Sequence, residues 1–295
     1  MNLKKNSENE LSTKYNETFS NMDIEETLNN LKDYSIYIAN IIEILVSYED
    51  QTNNYLTADT FKRYKGQTLL FTFQIKNFNE YFSSNAQFID SKTETDALDQ
   101  AFLSQCWTNL GSLLESSLQM FLSFYSTDFI NSNWGIWDKQ TIEQLKDATK
   151  KLNNQLKAVV KNNNHDENEG LNGKKRKRFM ENINSFMKEK EKLPNIEDIS
   201  LSYLIDFYES EKVIPEAFNK NDMHRIREFR NAIHSFKSRE IGTWEDLNKY
   251  SKEVLKLLIK MIDQLLPLPD YAKLDEDFVK EMNRLSKQQY QWVTK

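Results

Sequence analysis

The apolar residues of this chain recur three and four apart over stretches that only long helices can accommodate. In the first such stretch they stand at Ile24, Leu28, Leu31, Tyr34, Ile36, Ile38, Ile41, Ile42 and Leu45, with polar residues between. That spacing lines one buried face of a helix. A second series follows at Phe61, Tyr64, Leu69, Phe71, Phe73, Ile75, Phe78 and Tyr81, read as core packing. QTNN (51–54) separates the two helices, and Thr57 and Asp59 offer N-caps to the second. Gly66 lies within it and marks a kink or close packing. The scarcity of helix breakers extends the argument to the whole chain, because 295 residues contain only six glycines and four prolines. Turn-rich β folds and doubly wound sheets need more glycine. The expected fold class is therefore all-α, with room for one large core or two modest ones.

The order of segments follows the same signals. Residues 1–22 are polar and expected to be a flexible N-terminus. Residues 23–96 form an N-terminal helical hairpin ending in a polar linker over 83–96. Residues 97–270 form a larger helical bundle. Its first helix, 97–125, is rich in Leu and Phe and holds Gly111 and Glu115. Glu115 stands among leucines, and a buried carboxylate calls for a cationic partner, with Arg the natural one. A turn with two tryptophans (131–137), a helix over 139–161, a loop over 162–173 and the basic run 174–178 come next. That run leads into a helix that Pro194 stops. Ile199 to Glu209 is a further helix, and a last core helix runs from Glu245 to Leu266 behind a Thr243 cap. Residues 271–295 form a C-terminal helical tail.

Several functions are set aside by what the chain lacks. A single cysteine, Cys106, allows no intrachain disulfide and no cysteine zinc cluster, and reads as a buried small hydrophobe suited to a reducing cytoplasmic setting. No apolar run is long enough to span a membrane, and the N-terminus has no apolar signal-peptide core. There is no phosphate-binding glycine loop, no HExxH and no GxSxG. HDENEG (165–170) has hard-metal ligands without calcium-loop spacing and reads as a solvated loop. No metal and no cofactor is expected. The formal net charge is −6, so any contact with nucleic acid needs a local basic patch. Lys174, Lys175, Arg176, Lys177 and Arg178 are the candidate RNA-binding patch.

The segment Met223 to Phe236, MHRIREFRNAIHSF, combines two faces. At about 100° per residue, Ile226, Phe229, Ile233 and Phe236 share a core arc. Arg227, Arg230, Asn231 and His234 share the neighbouring one. Arginine presents a planar fork that matches phosphate, and histidine titrates near neutral pH. These are groups that can cleave a phosphodiester. On the bland alternative the arc is a solvated face, or its arginines anchor Glu115 and other carboxylates. His224, at the start of this helix, reads as a capping or surface residue.

The run REFRNAIH resembles the signature of HEPN-domain ribonucleases, compact helical bundles of prokaryotic toxin and antiviral systems. Their motif is an Arg, usually followed by a polar residue such as Asn, then a His after four to six intervening residues. Arg230 is followed by Asn231, but three residues separate it from His234, whereas six separate Arg227 from His234. Either Arg227 or Arg230 takes the family's Arg role. The resemblance implies metal-independent cleavage of RNA by a toxin or abortive-infection effector. It implies His234 as acid or base, an arginine and Asn231 on the phosphate, and a homodimer with the 223–236 helices near the two-fold axis. An antitoxin or regulatory protein is a further implied partner. The alternative function is a non-enzymatic helical interaction or nucleotide-binding protein in which the Arg/His face is structural.

Overall fold

The helical spacing becomes eleven α-helices, with no strand among the described residues of the computed structural model. The structure describes residues 17–48, 55–85, 92–132, 134–135, 137–163, 170–191, 195–214, 217–232, 240–268 and 274–293. In chain order the helices are α1 (Glu17–Asn21), α2 (Ile24–Tyr48), α3 (Ala58–Asn85), α4 (Lys92–Phe124), α5 (Ser126–Ile130), α6 (Lys139–Asn163), α7 (Gly170–Lys190), α8 (Leu201–Ser210), α9 (Lys220–Ala232), α10 (Trp244–Gln264) and α11 (Glu276–Val293). Two compact units divide the chain. One comprises residues 1–124 and 200–295, the other 125–199. None of the helices among the described residues is long and apolar enough to cross a membrane.

The first unit is built on α4. Its apolar residues point in several directions, so it is a core helix rather than an amphipathic surface one. Trp107, Leu110, Leu113, Leu114 and Leu118 are fully buried, and α4 packs against α3, α8, α9 and α10. The Trp107 ring lies 4.5 Å from Phe229 of α9 and 5.9 Å from Tyr250 of α10. Tyr64 of α3 meets Ser117 of α4 at 2.9 Å, and Tyr208 of α8 donates to the Leu118 carbonyl at 2.8 Å. These bonds satisfy hydroxyls that burial would otherwise penalise. Burial also pushes the Cys106 thiol up to about 12, so it remains protonated and inert. The N-terminus of α10 carries a full capping box, Thr243 with Asp246, as the Thr243 cap anticipated.

The opposite end of this unit brings the two chain ends together. Tyr34 of α2 donates to the Leu285 carbonyl of α11 at 3.0 Å. The Trp292 ring packs 5.2 Å from Phe19 and 5.8 Å from Tyr34. Residues 17–22, expected to be flexible, therefore include a short helix with Phe19 and Met22 buried. Its partner aromatic lies at the far end of the sequence, where local composition gives no sign of it.

Three further details differ from the sequence expectation. α4 begins at Lys92, so the last residues of the supposed linker are helical. Leu69 and Phe73, taken as core, face outward on α3. Gly66 marks no close packing, since a Cβ there would meet nothing within 4 Å.

The second unit contains α5, α6 and α7, with α6 packed on α7. The expected double-tryptophan turn closes on the end of α7. Lys190 Nζ donates to the Trp134 carbonyl at 2.9 Å, and the Trp137 amide donates to the Lys190 carbonyl at 3.2 Å. Trp137 stacks edge-on with Phe186 at 5.4 Å. Gly135 is needed here, because a Cβ would lie 2.2 Å from the Ile130 carbonyl oxygen.

Candidate functional site

α9 begins at Lys220, earlier than the sequence suggested, because Asn219 caps it: its Oδ1 accepts from the Asn221 amide at 3.0 Å, the pairing expected of an N-cap Asn. Met223, Ile226 and Phe229 are buried as the core face requires. His234, together with Ile233 and Phe236, lies outside the described residues. Of the predicted catalytic set, Arg227, Arg230 and Asn231 are placed.

Arg230 turns toward α4. Its Nη1 lies 2.7 Å from Glu115 Oε2, with the two side chains 27% and 20% exposed. The aliphatic stem runs across Gly111, where a Cβ would sit 2.6 Å from Arg230 Cδ and 2.9 Å from Arg230 Cβ. The second carboxylate oxygen, Glu115 Oε1, accepts from the Leu201 amide at 2.9 Å. Leu201 is the first residue of α8, so Glu115 takes one of the orphan donors at that helix's N-terminus, where a negative charge is also favoured by the dipole. One carboxylate thus ties α4, α8 and α9 together, and the partner that its apolar surroundings demanded is Arg230.

Arg227 points elsewhere. Its Nη1 donates to Ser202 Oγ of α8 at 2.7 Å, and its buried Nε has no hydrogen-bond partner. One turn earlier, His224 Nε2 stands 3.9 Å from Asp206 Oδ1, and its buried Nδ1 is likewise without a partner. Lys220 Nζ lies 2.7 Å from the same Asp206 oxygen. Lys220, His224 and Arg227 follow one stripe of α9, spaced four and three apart, as neighbours on a helix must be. They face Ser202 and Asp206, four apart on α8. Burial, and next the Arg227 charge, lower the His224 pKa below its ordinary value, with Asp206 opposing. His224 is therefore neutral at neutral pH. Asn231 continues the stripe and is exposed.

The α8–α9 seam thus contains one carboxylate against a lysine, an arginine and an ionisable imidazole, with two buried nitrogens unsatisfied. Such groups are uncommon and invite an anionic partner. The sequence reading overlooked Ser202, Asp206 and Lys220. The four-residue spacing of Ser202 and Asp206 on the polar side of an otherwise apolar helix was the signal available.

The candidate RNA-binding run lies within the first turns of α7 rather than ahead of it. Lys174, Lys175, Lys177 and Arg178 are exposed. Arg176 is half-buried and donates through Nη1 to Asn153 Oδ1 of α6 at 2.6 Å, so its contact is internal to the second unit. HDENEG falls outside the described residues apart from Gly170, which opens α7.

Comparisons of the chain with models of known families, with curated proteins and with solved structures found no match.

Proposed function

We propose that this chain is a metal-independent endoribonuclease of the HEPN type, with Arg227 rather than Arg230 as the arginine that meets the scissile phosphate. The observation that supports this assignment is the unequal pairing of the two guanidiniums. Arg230 is matched to a carboxylate, whereas Arg227 faces a neutral hydroxyl and keeps an unpaired buried Nε. RNA carries its own nucleophile, the 2′-hydroxyl. A cleaving site then needs a proton acceptor, a proton donor and positive charge on the phosphorane. On this reading His234 moves the proton, its ordinary pKa being close to operating pH. Arg227 stabilises the developing charge, and Asn231 contacts the phosphate. Arg230 is a positioning residue that holds α9 against α4. A second copy would supply the second histidine. Lys174, Lys175, Lys177 and Arg178 add sequence-independent phosphate contacts. A role as a toxin or abortive-infection effector, with or without an antitoxin, belongs to the same proposal and rests on analogy.

A second reading is favoured by the Glu115–Arg230 pair itself. Both carboxylate oxygens are engaged, as they would be in a non-enzymatic interaction or nucleotide-binding bundle whose arginines only hold helices together.

RNA degradation by purified protein in EDTA separates the two. Wild type should cleave, and His234→Ala and Arg227→Ala should each lose activity by about 100-fold or more while remaining folded. Equal rates in wild type and His234→Ala sink the nuclease reading. In a binding assay on the same RNA, neutralising Lys174, Lys175, Lys177 and Arg178 should flatten the salt dependence. An unchanged slope returns that run to a solvated helix face.

A further inference from the structure

α3 has two apolar faces, and the bundle uses one of them. Phe61, Tyr64, Thr68, Phe71 and Ile75 are buried on the inner face. At about 100° per residue, Lys62, Gly66, Leu69, Leu70, Phe73 and Glu80 form a stripe on the other side. Leu69, Leu70 and Phe73 are 50%, 51% and 60% exposed. Three large apolar side chains within little more than one turn, so far out of the core, form a contiguous patch rather than the scattered exposure normal on a surface. Nothing lies within 4 Å of the position a Gly66 Cβ would take, which leaves the backbone open to close approach by another helix.

The charges at the two ends of the stripe fit a copy of the same helix. In an antiparallel pair related by a two-fold axis at the level of residue 71, the partner's Phe73 comes opposite Leu69, and the partner's Glu80 comes opposite Lys62. Lys62 and Glu80 are both exposed. Each is nine residues from the axis level, so both lie at the same height and on the same side of the contact. The pair then occurs twice, once at each end, on the order of 27 Å apart along the helix. The partner's Lys76 falls beside Gly66, where its stem has room to lie.

We propose that the outer face of α3 is a homodimer interface, in which two copies of the chain pack α3 against α3 antiparallel around Leu69, Leu70 and Phe73. The interface is isologous: one patch complementary to itself, as a two-fold dimer requires. It lies on a helix apart from α9 and does not depend on the nuclease reading.

Light scattering over a concentration series is the test. Wild type should have twice the 35.0 kDa chain mass. Phe73→Glu should be monomeric with unchanged helical circular dichroism and thermal midpoint, since its side chain contributes little to the core. Lys62→Glu and Glu80→Lys should each weaken the dimer by about 3- to 10-fold, from two symmetric exposed pairs. The double variant K62E/E80K should recover wild-type affinity. A wild type that stays monomeric into the tens of micromolar overturns the proposal, as does a dimer indifferent to Phe73→Glu, or a monomer that uses this face for a different protein. Failure of K62E/E80K to recover overturns the antiparallel register. RNA cleavage measured on Phe73→Glu in parallel reports on the nuclease separately, so the two proposals fail by different readouts.

Discussion

Arg227 and Arg230 stand one turn apart on α9 and end on opposite kinds of partner. Arg230 reaches a carboxylate whose other oxygen is also taken, across a glycine that leaves its stem just enough room. Arg227 reaches a serine hydroxyl and leaves its Nε unmatched beside a histidine with an unmatched Nδ1. The first arrangement is electrically closed. The second retains positive charge that its own chain does not neutralise. Two residues of the same type on one helix are thus told apart by what faces them. Helix periodicity alone placed them on a common arc.

The sharpest way to break the contrast is at the closed site. Glu115→Ala removes the acceptor for both Arg230 and the Leu201 amide, and should cost about 2–3 kcal/mol in urea unfolding. Gly111→Ala should cost about 2 kcal/mol, because the clash involves Arg230 Cβ as well as Cδ and the side chain cannot simply swing aside. A loss below about 0.5 kcal/mol in both variants would mean that the pair holds nothing together. Arg227→Ala should cost less, under about 1 kcal/mol, since it removes one bond to a neutral group and also deletes an unsatisfied donor. If Arg227→Ala proves the more destabilising, the assignment of roles is reversed.

The smallest expected effect is on pH dependence. The His224 pKa is lowered in the folded protein, chiefly by burial and then by Arg227. The unfolded chain therefore binds the proton more readily over the window below the ordinary value of 6.5. The resulting stabilisation is complete above that value and fades as pH falls through the window toward the folded pKa. His224→Gln should flatten this part of the stability profile, measured as urea midpoints at closely spaced pH values. A wild-type profile already flat there would show that the seam does not penalise a charged imidazole.

Much of this was legible beforehand, for physical reasons that differ by residue. Long apolar periodicity and few breakers are local properties, and they yielded the helices. Glu115 in a run of leucines required a cation, and the requirement was met by Arg230. Phe19 was missed because its partner, Trp292, is at the other end of the chain. Leu69 and Phe73 were misplaced because α3 is apolar on two sides, and periodicity does not say which side is covered. The Arg227–Ser202 contact was missed because a lone serine on a helix carries no charge to betray its role. His234 lies outside the described residues, so the motif's spacing question now rests on Arg227 and Arg230.

The Glu115–Leu201 hydrogen bond spans 86 residues, and those residues include the whole of the second unit. During synthesis at roughly 5–20 residues per second, roughly 4–17 s separate the emergence of that carboxylate from the emergence of the amide it accepts, and Arg230 follows later still. Over that interval α4 is a leucine-rich helix with an unmatched acid in its middle. The same interval lets residues 125–199 fold on their own. The order of translation therefore makes the bundle wait for its insert, and Glu115 is the residue that records when the wait is over.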